Sequence, residues 1–314
     1  MNGPIVESSR SDGTHVRAVL QGLFVTFLWS TSWILIKIGL DDLDIAPLSF
    51  AGLRYALAAA ILLPFGVRAL RRRQGAAIDG RLVTRVAVYG LLFVAVAQGA
   101  QFAALAVLPA TAVSLILSSI PMWVALVALG GHAERATTGQ VAGIGLLTIG
   151  AVLYFGPFEI QPGAALGFAA AAVCAAAATV SSHLGRHLAR DAIGRLGGPI
   201  GLTAWSMVVG AVALLAVGLA VEGWPSLGLE GWLIIGWLAV VNTAFAFTLW
   251  NHTLRTLTAV ESSVVNNTMT VQIAVLAIIF LGERLGPPQL IGLLLAAAGA
   301  AIVQVAPLLR RRRA

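Results

Sequence analysis

Apolar residues fill this chain in blocks of about 20, divided by short polar or arginine-bearing stretches. The blocks fall at 18–40, 47–67, 84–106, 110–130, 138–156, 163–183, 200–221, 231–252, 259–281 and 287–308. Each is long enough to cross a hydrocarbon core of ~30 Å as a helix, and only helices supply crossings at this density. The third and fourth blocks would read as one long helix but for the break at Leu108-Pro109. The pattern therefore predicts an all-α integral membrane protein with ten transmembrane helices. Composition agrees: 59% of residues are hydrophobic, 11% are charged and the mean hydropathy is +0.91. A soluble domain carries about a quarter charged residues.

The polar positions repeat. Residues 105–156 lie on 254–305 without a gap, matching Leu105 with Leu254, Ser114 with Ser263, Glu134 with Glu283, Arg135 with Arg284 and Gln140 with Gln289. The match continues through Gly143 with Gly292 and Gly150 with Gly299. Weaker echoes pair Gly22 with Gly167 and Pro47 with Pro199. Glu134 follows the fourth span and Glu283 the ninth, so an odd number of spans separates them. Equivalent positions then lie on opposite sides of the membrane, and the expected architecture is two inverted five-helix repeats. The expected division is a cytoplasmic tail at 1–17, a first repeat at 18–156, a linker at 157–162, a second repeat at 163–308 and a basic tail at 309–314. Small residues at Gly143, Gly150, Gly292, Ala296 and Gly299 suit close packing of the fifth span on the tenth.

The net charge of +7 and pI near 10.9 would suit nucleic acid, but their distribution argues otherwise. With the N-terminus inside, the cytoplasmic segments hold all but three of the 20 basic residues, leaving Lys37, Arg54 and Arg284. Asp41, Asp42, Asp44, Glu159, Glu222, Glu230 and Glu283 make the outer side acidic. This is the positive-inside pattern. It predicts a multi-pass protein of the inner (cytoplasmic) membrane with both termini in the cytoplasm. The expected partners are a small-molecule substrate and the lipid bilayer, without nucleic acid; a homodimer is left open. Cys174 is the single cysteine, so no intrachain disulfide forms. No HExxH, phosphate loop, metal-ligand cluster or paired mid-span carboxylates occur, so neither an enzyme nor a cofactor or metal is expected.

Polar groups inside lipid should face neighbouring helices or water. The first span carries Trp29, Ser30, Thr31, Ser32 and Trp33, and the third carries Gln98 and Gln101 on one face. The fourth has Ser114, Ser118 and Trp123, the sixth Thr179 and Ser181, and the eighth Asn242 and Thr243. The ninth is richest, with Asn266, Asn267, Thr268, Thr270 and Gln272. Spans 2, 5, 7 and 10 are nearly bare, so the other six are expected to line a central polar cavity. The candidate substrate-binding residues are Trp29, Trp33, Gln98, Gln101, Ser118, Trp123, Asn242, Asn266, Asn267 and Gln272. Each polar group has an alternative role as a bridge between helices, at roughly 0.6 kcal/mol apiece, and each Trp as core filler. Lys37 is near enough to the outer interface to snorkel. Arg54, seven residues past Pro47 and about 10 Å along its helix, reads as structural. Glu134 and Glu283 read as folding determinants that favour the starts of the helices after them. Glu261 is either an N-terminal helix charge or a proton-coupling site.

The run Leu28-Trp29-Ser30-Thr31-Ser32-Trp33, then Lys37, Pro47 and Arg54-Tyr55, followed by Glu134-Arg135 and the repeated Glu283-Arg284, resembles the EamA-type domains of the drug/metabolite transporter superfamily. The resemblance covers 18–308 as two five-helix units. It departs where the family often has Trp-Gly and this chain has Trp29-Ser30, which stiffens the first helix. The resemblance implies transport of small metabolites, often export. With no mid-span acid and two aromatic walls, the expected cargo is a small neutral or zwitterionic metabolite such as an amino acid. The expected mode is that of a secondary transporter, an exporter, working by alternating access. The alternatives are a membrane-embedded lipid flippase or an enzyme.

Overall fold

A computed structural model describes residues 5–72, 77–131, 137–156, 163–191, 194–254 and 256–311. The described chain is helical throughout, with no strand. The elements are α1 (Ile5–Asp41), α2 (Pro47–Arg71), α3 (Gly80–Gly90), α4 (Ala97–Leu105), α5 (Ala110–Leu117), α6 (Ile120–Gly131) and α7 (Thr138–Phe155). They continue with α8 (Ala164–Asp191), α9 (Pro199–Glu222), α10 (Leu229–Ala239), α11 (Ala246–Thr253), α12 (Ala259–Phe280) and α13 (Pro287–Arg311). Among the described residues, 8 helical stretches are long and apolar enough to cross a membrane, and two shorter apolar ones run over Ala110–Val124 and Val264–Phe280. Glu134, the linker at 157–162 and residues 312–314 lie outside the described residues.

Two features depart from ten unbroken rods. The expected fourth span is split, with α5 ending at Leu117 and α6 beginning at Ile120. Pro121 has no N–H to continue the ladder, and the Ser118 and Ser119 hydroxyls donate to Leu115 O and Ile116 O of their own helix, both at 2.6 Å. The third and eighth spans each contain a π-helical segment, Leu91–Val96 joining α3 to α4 and Val240–Phe245 joining α10 to α11. Both ends of these segments are separated by the same 149 residues as the sequence repeat. At the N-terminus, α1 begins at Ile5, so much of the expected tail is continuous with the first span.

Several helix pairs among the described residues pack backbone to backbone. A Cβ placed on Gly150 of α7 would lie 2.5 Å from Ala296 N of α13, and one on Gly292 would lie 2.5 Å from Gly150 O. The expected packing of the fifth span on the tenth is therefore present. A second pair, α2 on α9, follows the same rule: a Cβ on Gly52 would meet Leu215 Cα at 2.6 Å, and one on Gly218 would meet Ser49 N at 2.7 Å. In a solvent of hydrocarbon, where lipid tails compete for apolar contact, such close approach is what makes helices associate. The largest buried cluster joins α2 and α9 to α1, α4, α5, α10 and α12, with Phe50 edge-on to Phe102 at 5.2 Å and Leu105, Ile235 and Leu238 buried in it.

Helix ends use carboxylates borrowed from elsewhere in the chain. α5 follows Pro109 and α2 follows Ala46, and neither residue supplies a side-chain cap. Glu283 accepts from Ala110 N at 2.6 Å, Thr111 N at 3.3 Å and Thr111 Oγ1 at 2.5 Å. Glu222 accepts from Leu48 N at 3.1 Å and Ser49 N at 2.7 Å. Glu283 thus serves folding as expected, though through α5 rather than the helix that follows it. Beyond the membrane, Asp79 caps α3 through Leu82 N at 2.9 Å and faces Arg195 at 3.2 Å. The Leu82 N–H, then Arg195, hold its carboxyl below the usual range.

Replacing Glu283 with Ala leaves two backbone N–H groups of α5 without an acceptor. We expect a loss of about 2–3 kcal/mol, read as a lower apparent melting temperature in detergent. Glu230→Ala, on an exposed residue in the first turn of α10, serves as the control; equal effects of the two would remove Glu283 from its capping role.

Candidate functional site

Two sets of buried polar groups share α1. The first is a seam between α1 and α12. Thr26 and Thr268 each donate to their own helix, at Leu23 O (2.9 Å) and Val265 O (2.6 Å). Their oxygens are thereby free to accept from Gln272 Nε2, at 3.3 and 3.1 Å. Ser30 Oγ lies 2.8 Å from Thr26 O and 3.0 Å from Gln272 Oε1, sharing one proton between two acceptors. The Gln272 amide is therefore occupied within the seam.

The second set surrounds the π segment Val240–Phe245. A π turn displaces backbone carbonyls from the regular ladder, and in lipid these must be satisfied by other donors. Thr243 Oγ1 donates to Leu238 O at 2.8 Å, and Trp29 Nε1 reaches across from α1 to Asn242 O at 3.1 Å. The Trp29 ring is held by Phe247 and Trp250, with centroids at 5.3 and 5.4 Å. Asn242 is fully buried. Its Nδ2 donates to Leu28 O and to Thr31 Oγ1 (3.3 Å), while its Oδ1 is buried without a partner. A carbonyl only accepts, so the contact with Leu28 O fixes which end of the amide is the nitrogen.

On the far side of Thr243 stands Arg54, 5% exposed. Its Nη2 approaches Thr243 Oγ1 at 3.4 Å, and its guanidinium lies 5.1 Å from the Tyr55 ring centroid and 5.9 Å from that of Phe102. Tyr55 Oη donates to Gln98 Oε1 at 2.6 Å. The second span is thus not bare at depth, contrary to expectation: it delivers Arg54 and Tyr55 inward, because its opposite face is sealed against α9.

The structure brings Trp29, Asn242 and Gln98 into this cluster and adds Arg54, Tyr55 and Thr243. Trp33 packs in the central core, 8% exposed. Gln101 is half-buried one turn from Gln98 and makes no hydrogen bond to another described residue. Ser118 is turned onto its own helix. Asn267 is half-buried, and Asn266 is exposed on the side of α12 opposite the apolar stripe Val264, Val271 and Val275. Trp123 does not join the cluster: it is 47% exposed beside exposed Leu126 and Val127, a face suited to lipid. Lys37 donates to Leu105 O at 2.9 Å and pairs with Asp41 at 2.9 Å, so it closes the end of α4. Glu261 forms a capping box with Thr258 and lies 3.2 Å from His15 Nε2. Arg54-Tyr55 could have been found from sequence by weighing a charge some 10 Å inside a helix as a site rather than as a snorkelling group.

An apolar groove of about 490 Å³ opens beside the cluster between α1, α10 and α12. Thr31, which bonds Asn242, forms part of its wall, with Leu28, Ile34, Leu233, Trp237 and Phe280. Among the described residues no group of three His, Cys, Asp or Glu could hold a metal.

The model of the EamA-like transporter family matches residues 16–156 and again residues 161–305. The chain belongs to the EamA-like transporter family. Two copies of the EamA domain thus tile the repeat seen in the sequence, and this EamA protein is a multi-pass membrane protein of a family of transporters, not of enzymes. It is 27% identical over 302 residues to a protein of Streptantibioticus cattleyicolor named "Probable terminal-alkyne amino-acid exporter", covering 95% of this chain and 97% of that one. It is 25% identical over 303 residues to a protein of Salmonella typhimurium named "Probable amino-acid metabolite efflux pump", covering 93% and 94%. A solved crystal structure shares the fold with a TM-score of 0.63 at 22% identity, covering 95% of this chain and 98% of that one.

In this EamA protein, Gln272→Leu removes three interhelical or seam hydrogen bonds. At roughly 0.6 kcal/mol each, we expect a destabilisation of about 2 kcal/mol, read by thermal unfolding in detergent. An unchanged melting temperature would assign the amide away from the α1–α12 seam.

Proposed function

We propose that this protein is a secondary transporter that exports a small neutral or zwitterionic metabolite such as an amino acid, by alternating access of two inverted five-helix repeats. The observation that carries the reading is the buried polar cluster around Val240–Phe245, where α1, α2, α4 and the eighth span meet. Binding sites of repeat transporters lie where the halves meet and where a spanning helix departs from regular geometry. The names of the two relatives support an amino-acid-like cargo. The placement of both π segments at the repeat offset supports the pairing of the halves. In this reading the substrate contacts Trp29, Gln98, Gln101 and Asn242, with Asn266 and Asn267 along its path. Trp33 supports the wall from the core, and Gln272 and Ser118 position helices. Glu261 serves as a helix cap and cytoplasmic latch with His15 rather than as a proton carrier.

The test is flux of radiolabelled neutral L-amino acids from liposomes containing the purified protein, against protein-free liposomes. We expect at least one to exchange faster than the control, with flux following the substrate gradient. An imposed pH gradient should leave it nearly unchanged, in the parent and in Glu261→Gln alike. Failure of every amino acid to exchange would overturn the cargo assignment. Accumulation driven by the pH gradient, lost in Glu261→Gln, would make Glu261 the coupling site.

The ten-span, termini-inside arrangement in the inner membrane has its own check. In a Cys174→Ala background, Leu43→Cys should react with an impermeant thiol reagent added outside the cell, and Arg190→Cys only after the cytoplasm is opened. Labelling of both from one side would refute the arrangement.

A further inference from the structure

Arg54 is a cation held inside the membrane domain with its hydrogen-bonding capacity almost unused. Among the described residues its one hydrogen bond, to Thr243 Oγ1, is long at 3.4 Å, and its Nε is buried with no partner. Ordinary N–H···O bonds span about 2.7–3.2 Å. No described carboxylate pairs with it. Glu222 and Glu283 are committed to the ends of α2 and α5. Lys37 shows how the same chain satisfies a cation, with a carboxylate and a carbonyl both within 3.0 Å. The Tyr55 and Phe102 rings give Arg54 two cation–π contacts, which offset only part of the desolvation of a buried guanidinium.

A second buried polar atom of the same cluster is also without a partner, and it is of the opposite kind. Asn242 Oδ1 is an acceptor lacking a donor, on the residue preceding the Thr243 that touches Arg54. A vacant donor set and a vacant acceptor in one cluster match a ligand carrying both an anion and a cation. A dianion such as a phosphate ester would leave Asn242 Oδ1 unmet. Guanidinium also presents paired N–H donors in the geometry of a carboxylate, which Lys does not.

We propose that Arg54 is the carboxylate anchor of the transport site, receiving the α-carboxylate of a zwitterionic substrate when the cluster opens. This rests on the reading of the protein as an amino-acid transporter and adds which end of the substrate is recognised and by which residue. Gln98, whose Oε1 is taken by Tyr55, retains its Nε2 donors for the same carboxylate.

The experiment uses the full-length protein with L-leucine, L-phenylalanine and L-threonine and the carboxamide of each. Ligand-induced thermal stabilisation is measured in detergent, and competition with the radiolabelled parent amino acid in liposomes. For whichever of the three exchanges, the carboxamide should compete about 30-fold or more weakly. Arg54→Gln should retain a folded, monodisperse protein that the amino acid no longer stabilises, and Arg54→Lys should bind weakly. A merely structural Arg54 would lower the starting melting temperature in Arg54→Gln and leave the ligand-induced increment intact, which would overturn the proposal. Equal competition by amide and acid on the parent protein would overturn it too, with amino-acid transport still standing, and needs no variant to fold. If none of the three amino acids exchanges or stabilises the parent, the transport reading fails and the anchor fails with it.

Discussion

Every backbone N–H and C=O inside the hydrocarbon layer must find a partner without help from solvent, and most of what distinguishes the structure from a bundle of plain helices answers that demand. At the starts of α2 and α5, which lack a capping residue, a distant carboxylate supplies the acceptor, Glu222 for α2 and Glu283 for α5. Where α4 ends, Lys37 donates to the free carbonyl of Leu105. Where the eighth span widens into a π turn, Thr243 and the Trp29 indole take up Leu238 O and Asn242 O. The polar side chains at the heart of the protein are there first because the backbone requires them. The ligand site we propose lies at the same place, where Arg54 Nε and Asn242 Oδ1 are left without partners.

The rest of the bundle falls into stiff and compliant parts. α7 with α13 and α2 with α9 meet through glycines that bring backbone against backbone. Such contacts tolerate no side chain and little sliding. α1 and α12 are joined instead by hydroxyl and amide hydrogen bonds that side chains can exchange, and the fourth span is interrupted at Ser118 and Ser119. A transporter needs both: rigid pairs to move as units and seams that can re-form in a second arrangement. Arg54 lies on a helix of a glycine-packed pair and faces Thr243 of the eighth span, so in the cycle we propose its position is held while its surroundings change.

Much of this was legible in the sequence, for reasons tied to particular residues. The helical class and span positions follow from apolar block length, and the packing of α7 on α13 from Gly143, Gly150, Gly292 and Gly299. The α2–α9 pair was harder to see, since Gly52 and Gly218 do not share the repeat offset. Asn242, Trp29 and Gln98 could be nominated because a polar group in lipid is conspicuous wherever it points. Direction is what the sequence leaves out. Trp123 lies as deep as Trp29 in the pattern yet sits on an outward stripe, and Gln272 faces a hydroxyl seam that uses up its amide. Arg54 was weighed by its distance from the helix end, which permits snorkelling, whereas its burial depends on α9 sealing the other face of α2.

The two borrowed caps also set an order of events in biosynthesis. α2 and α5 belong to the part of the chain made first, and each carries exposed N–H groups that its own neighbours cannot satisfy. Their acceptors, Glu222 and Glu283, lie far downstream and are synthesised only once α9 and α12, respectively, have been made. Until then the early helices must keep those ends near the water interface. The first EamA copy is therefore a substructure in waiting, with two of its helix starts completed only by carboxylates from its sequence-distant twin.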